Sequence, residues 1–144
     1  MISIFKKLIN LLYENSCALC KNNCKDLIFC IDCEKKLEER KEIYKKTFNE
    51  VNIYSWGFYD GNLRDSIISL KNGKKKSAKF FGLKLSVFWS TLNLTPNDYL
   101  VLPIPSHKER NKERGYCQTE LISKEFAENL NFRFSNDYLI REKE

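Results

Sequence analysis

The sequence holds no apolar run approaching the roughly 20 residues a helix needs to cross a bilayer, so a helical membrane span is excluded. It also lacks a convincing export signal. The stretch from Ile2 to Tyr13 is broken by Lys6 and Lys7 and carries no small-residue cleavage site. Its apolar residues Ile2, Phe5, Leu8, Ile9 and Leu12 fall at helical spacing, which predicts a short amphipathic helix packed on the body. There is no internal repeat and no low-complexity linker. Histidine is nearly missing: His107 stands alone, with no identifiable acidic or nucleophilic partner, so no catalytic role falls to it.

What remains is a soluble composition. Apolar residues at 42% and charged residues at 31% argue against wholesale disorder. A chain of 144 residues suffices for one ordinary domain, or for a small module plus part of another. Without an export signal the expected location is cytoplasmic and reducing, where six cysteines point to metal or free thiols rather than disulfides. The net charge of +6 is modest. Lys71, Lys74, Lys75, Lys76, Lys79 and Lys84 form a run without an acidic neighbour. Such a run could track nucleic-acid phosphates, or simply solvate a helix entry, the blander reading.

The strongest motif is a pair of C-x2-C turns, Cys17/Cys20 and Cys30/Cys33, separated by the nine residues Lys21 to Phe29. Zinc takes four thiolates in a tetrahedron, and each C-x2-C turn offers two sulfurs from one tight knuckle. The nearby Lys21, Lys25, Lys35 and Lys36 would offset the charge of a tetrathiolate site. Cys24 lies inside the loop and could replace Cys20, but its spacing suits a spare thiol better. A closed four-sulfur site leaves no open position, so its expected role is structural.

Downstream, Glu34 to Lys46 is charged and reads as a solvated helical connector anchored by Leu37 and Tyr44. Val51, Ile53 and Ser55 alternate with polar residues and predict a strand, the expected first strand of the main domain, closed by a turn at Asp60-Gly61. Leu63, Ile67, Ile68 and Leu70 predict a helix ending before Asn72-Gly73. Phe80, Phe81, Leu85, Phe88, Trp89 and Leu92 predict a longer one, closed by Pro96, whose aromatic stripe belongs to the core. After a turn at Asn97-Asp98, Tyr99 to Leu102 reads as a buried parallel strand. A helix from about Gln118 to Leu130 and a short strand around Tyr138 to Ile140 complete a βαβ pattern.

In open parallel sheets, ligands bind beyond the carboxyl ends of strands. Here that loop is Pro103 to Gly115, carrying His107, Lys108, Arg110, Lys112 and Arg114 against Glu109 and Glu113. Gly115 permits close backbone approach, and the following helix presents a positive dipole end, a combination suited to phosphate or pyrophosphate. A merely charged surface loop would look the same.

Taken together, the two cysteine pairs, an aromatic strand with Gly61, Leu63-Arg64 and Leu70-Lys71, then Pro103-Ile104-Pro105 and Arg114-Gly115-Tyr116-x-Gln118 resemble the ComF family. These are bacterial competence-associated proteins with a zinc finger ahead of a type I phosphoribosyltransferase domain. The resemblance runs from the first cysteine pair to Arg141. It implies Arg114 and Gly115 at the pyrophosphate of phosphoribosyl pyrophosphate, and Leu139-Ile140-Arg141 opening a mobile loop over it. Cys117 stands where the family usually has asparagine. The family's paired aspartates and Thr-Thr-Gly loop for the ribose 5-phosphate have no counterpart in these 144 residues; Asn97-Asp98 and Asn136-Asp137 are turn pairs.

The expected architecture is therefore α/β: a four-cysteine zinc knuckle with its flanking helices over residues 1–46, then an incomplete doubly wound parallel sheet of phosphoribosyltransferase type over 47–144. The expected function is that of a ComF-like protein linked to DNA uptake, truncated, and inactive alone in phosphoribosyl transfer. Weak binding of phosphoribosyl pyrophosphate or pyrophosphate, and DNA or a competence-machinery protein as partner, follow from the resemblance. The alternatives are a non-enzymatic zinc-knuckle module for nucleic acid or protein, or a nonfunctional fragment.

Overall fold

In the computed structural model, which describes residues 16–24, 27–39, 43–94 and 98–142, the first described helix begins directly behind the third cysteine of the motif. The helix expected over Ile2 to Tyr13, Lys25, and the break at Pro96-Asn97 lie outside the described residues. Helix α1 (Ile31–Glu39) carries Asp32 and Glu34 in its first turn and Lys36 in its last, the arrangement its dipole favours. Cys33 and Leu37, four residues apart and so on one face, are both buried.

That helix does not reach Lys46, as its charge pattern had suggested. Tyr44–Phe48 is strand β1, paired antiparallel with β2 (Val51–Ser55) in the register Tyr44↔Ser55 to Phe48↔Val51. Asn49 and Glu50 both adopt positive φ, 45° and 65°, which is what a two-residue hairpin turn requires. The β-prone Tyr44, Thr47 and Phe48, together with this turn, outweigh the helix propensity of the lysines. Strand β2 is present at its expected residues, but as half of a hairpin rather than the opening strand of a parallel sheet. The residue 46/47 division lies inside β1.

The chain divides into two compact units, Met1–Ser69 and Leu70–Glu144. In the first, Cys17, Ala18, Cys24, Phe29, Cys33, Leu37 and Trp56 are buried. Helix α2 (Gly61–Lys71) occupies the segment its apolar spacing predicted, and Ser69 Oγ donates to the Ala18 carbonyl at 3.0 Å, tying the helix to the first knuckle.

In the second unit, helices α3 (Ser77–Thr91) and α5 (Gln118–Leu130) pack closely. Gly82 makes the approach possible, because a Cβ there would lie 2.4 Å from Glu125 Cβ. Trp89 organises the aromatic core, with Tyr99, Phe126 and Phe132 rings edge-on at 5.2, 5.9 and 6.2 Å. Strand β3 (Leu100–Val101) pairs in parallel with β4 (Arg133–Phe134), and the short helix α4 (Lys108–Arg114) with α5 makes the crossover between them. This is a βαβ unit. Among the described residues it is the whole parallel sheet, so the wider doubly wound sheet is not seen.

The last strand is earlier than Tyr138 to Ile140. Asn131 takes a left-handed conformation (φ 55°) after α5 and turns the chain straight into Arg133, whose amide bonds the Tyr99 carbonyl at 3.2 Å. Tyr138 and Ile140 are instead 70% and 77% exposed.

Candidate metal centre and the cleft beyond strand β3

The first knuckle is a tight hairpin. Ser16 and Asn23 form an antiparallel bridge, Cys17 N–H donates to the Asn22 carbonyl at 2.8 Å, and Lys21 N–H to the Cys17 carbonyl at 3.1 Å. Lys21 closes the turn at φ 67°, a left-handed position unusual for a non-glycine residue. The second knuckle is the start of α1: Glu34 N–H donates to the Cys30 carbonyl at 2.9 Å, which places Cys33 one turn above Cys30. The Ala18 amide bonds the Ile28 carbonyl at 2.9 Å and holds the two knuckles together.

This brings Cys17, Cys20, Cys30 and Cys33 into one cluster, with their sulfurs all within 4.8 Å of one another. The Cys20 and Cys30 sulfurs are 3.6 Å apart. A tetrahedron with metal–sulfur bonds of about 2.3 Å has edges of roughly 3.8 Å, so the donor set fits a tetrahedral ion with little adjustment. Cys24 is not a member. Its sulfur donates to the Leu27 carbonyl at 3.0 Å, in line with the spare-thiol reading.

Cys17, Cys20 and Cys33 differ in acidity. Burial pushes Cys17 up, but the amides of Cys30, Cys20 and Leu19 and the Cys20 thiol aim dipoles at its sulfur and bring it down to about 6. The Cys30 N–H···Sγ distance is 3.3 Å. For Cys20 the Asn22 amide pulls down, yet lost hydration and the Cys17 and Cys30 sulfurs raise it overall. Burial, then the sulfurs of Cys30, Cys20 and Cys17 and the charge on Cys17, push Cys33 well above the usual thiol range. Cys17 takes a negative charge readily, whereas Cys20 and Cys33 resist theirs unless a cation shares it. That is the chemistry of a metal site.

The second feature is an open cleft of about 680 Å³ just past β3. Pro103, Pro105, Ser106 and His107 line it together with Asn136 and Leu139 to Glu142. Its charged lining is mixed, Lys112 and Arg141 against Glu109, Glu120 and Glu142. The segment expected to be an irregular basic loop contains helix α4, capped by His107, whose Nδ1 accepts from Glu109 N–H at 3.3 Å. Cys117 also lines the cleft. Burial raises its thiol, but the hydroxyls of Ser106 and Thr119, at 3.3 and 3.0 Å, and the amides of Glu120 and Ser106 lower it overall.

Arg114 and Gly115 are not among the lining residues of the cleft. Arg114 ends α4 and donates to Gln118 Oε1 at 3.1 Å, while Gly115 caps the helix at φ 71° with its amide on the Asn111 carbonyl at 2.8 Å. Directly after them comes Tyr116, a residue with extensive contacts that the sequence pattern showed only as part of the Arg-Gly-Tyr-x-Gln motif. Its hydroxyl and ring engage the turn between α2 and α3. Among the described residues, no helix is long and apolar enough to cross a membrane. No family model, no curated protein and no solved structure matches this chain.

Proposed function

We propose that this chain is a ComF-type protein, linked to DNA uptake, in which Cys17, Cys20, Cys30 and Cys33 hold one structural Zn²⁺. The observation that carries the metal half is the convergence of four sulfurs within 4.8 Å. Four soft thiolates in a closed tetrahedral set favour Zn²⁺ over the harder divalent ions, and leave no position for a substrate. Purified protein is expected to carry one equivalent of zinc, lost in Cys30→Ser and kept in Cys24→Ser. Zinc well below one equivalent in the unmodified protein rejects this reading.

The phosphoribosyltransferase half rests on the Pro103-Ile104-Pro105 and Arg114-Gly115-Tyr116 motifs and is supported by their position after a parallel strand, where such sheets bind ligands. Arg114 and Gly115 would meet the diphosphate of phosphoribosyl pyrophosphate, weakly. Transfer of the ribosyl group needs both ends of the sugar phosphate held in place. Nothing in these 144 residues supplies the acidic pair or the 5-phosphate loop, so the chain alone is expected to bind without turnover. Calorimetric titration with pyrophosphate, compared with Arg114→Ala, tests the binding. Equal affinity in the variant removes Arg114 from the site, and turnover with any base acceptor refutes the inactive reading.

A further inference from the structure

Two segments of the second unit, more than forty residues apart in sequence, meet at one phenol. The Tyr116 hydroxyl donates to the Leu70 carbonyl and accepts from Gly73 N–H at 3.0 Å. The Lys75 ammonium stands 4.7 Å from the centre of the Tyr116 ring. Leu70 is fully buried and so a fixed anchor, while Gly73, at φ 107°, reverses the chain as only glycine readily does. Tyr116 thus fastens the lysine-bearing turn to the stretch that begins with Arg114 and Gly115. The start of α3 offers little to an anion by itself, since the amides of Ser77, Ala78 and Lys79 already bond the carbonyls of Lys74, Lys75 and Lys76 at 2.9, 3.0 and 3.1 Å. Anion attraction here must come from side chains.

We propose that Tyr116 is a positioning residue that holds Lys75 beside the Arg114–Gly115 loop, so that Lys75 is a second cationic contact for a diphosphate group. The inference rests on the diphosphate reading above and extends it to the α2–α3 turn. It also accounts for a site away from the cleft, whose acidic residues outnumber its basic ones. A lysine on a free turn would lose both backbone and side-chain freedom on binding, and here much of that ordering is already done by the tyrosine. The hydroxyl matters more than the ring, because it makes both hydrogen bonds to the turn.

The test is pyrophosphate titration at low ionic strength on the full chain and on Tyr116→Phe, Lys75→Ala, their double variant, Lys75→Arg and Arg114→Ala, with amide exchange followed at Gly73 and along α5. Tyr116→Phe and Lys75→Ala are each expected to weaken binding about three- to fivefold, the scale of one exposed cation. The double variant is expected to bind no worse than Lys75→Ala, because both changes act through one ammonium. Lys75→Arg should restore most of the affinity. Gly73 should exchange faster in Tyr116→Phe while α5 keeps its protection, which separates loss of positioning from unfolding. Additive losses, or unchanged Gly73 exchange, overturn the positioning role. Full-strength binding by Lys75→Ala and Tyr116→Phe alongside weakened Arg114→Ala overturns this inference and leaves the diphosphate reading standing. Absence of pyrophosphate binding in the unmodified chain overturns both.

Discussion

At the scale of single residues, the cysteines differ in what each must give up when a metal arrives. Cys17, at about 6, is already mostly a thiolate at pH 7.5, whereas Cys20 and Cys33 are raised and still protonated. Zinc uptake at pH 7.5 should therefore release about one proton each from Cys20 and Cys33 and little from Cys17. Calorimetry in buffers of different ionisation enthalpy counts them. The sign with pH follows. As pH falls, protons hold Cys20 and Cys33 ever more firmly, and below about 6 Cys17 is protonated as well, so apparent zinc affinity must drop steeply there. An affinity flat from pH 7.5 to 5 would contradict the four-thiolate assignment. That these four cysteines cluster was legible in sequence, because C-x2-C fixes which sulfurs share a turn. The unequal acidity was not: it depends on which sulfur the Cys30, Cys20 and Leu19 amides face.

At the scale of elements, α3 was legible because Phe80, Phe81, Phe88 and Trp89 repeat at helical spacing and bury accordingly or form the aromatic cluster. The β1–β2 hairpin was not, since Asn49-Glu50 lacks the glycine that usually announces such a turn. The strand expected at Tyr138 to Ile140 finds no partner among the described residues, and β4 forms earlier because the end of α5 delivers Phe132 against Tyr99, with ring centres 5.1 Å apart. Helix packing gives a direct test. Gly82→Ala puts a methyl 2.4 Å from Glu125 Cβ and must push α3 from α5. A loss of about 1–3 kcal/mol in urea unfolding is expected, the usual cost of overpacking. No loss would mean the helices separate more easily than their contact implies. The lysine run gives another. Lys75, Lys76 and Lys79 are exposed, so any binding of DNA should be weak, indifferent to sequence and steeply weakened by salt. Binding that survives Lys74, Lys75 and Lys76 all changed to Ala would assign it elsewhere.

At the scale of the whole molecule, the two units differ in what holds them. Among the described residues of the first, Phe29, Leu37 and Trp56 are buried, and the β1–β2 hairpin leaves Phe48 and Val51 about three-fifths exposed. A metal held by the four-cysteine cluster would add its binding free energy to the stability of this unit. The second unit has its own aromatic core around Trp89 and contains none of the clustered cysteines. The chain's two tryptophans, Trp56 and Trp89, fall one in each unit and so report on them separately. In a Trp89→Phe protein, where only Trp56 emits, a strong zinc chelator should shift the fluorescence to the red as that buried indole meets water. In a Trp56→Phe protein, where only Trp89 emits, the same treatment should leave the spectrum unchanged until denaturant is added. Restoring zinc should return the Trp56 signal, which separates metal loss from irreversible aggregation. If both indoles shift together under chelation, the aromatic core depends on the metal as well, and the two units do not fold on separate terms. If neither shifts, Cys17, Cys20, Cys30 and Cys33 are not what holds the first unit in place.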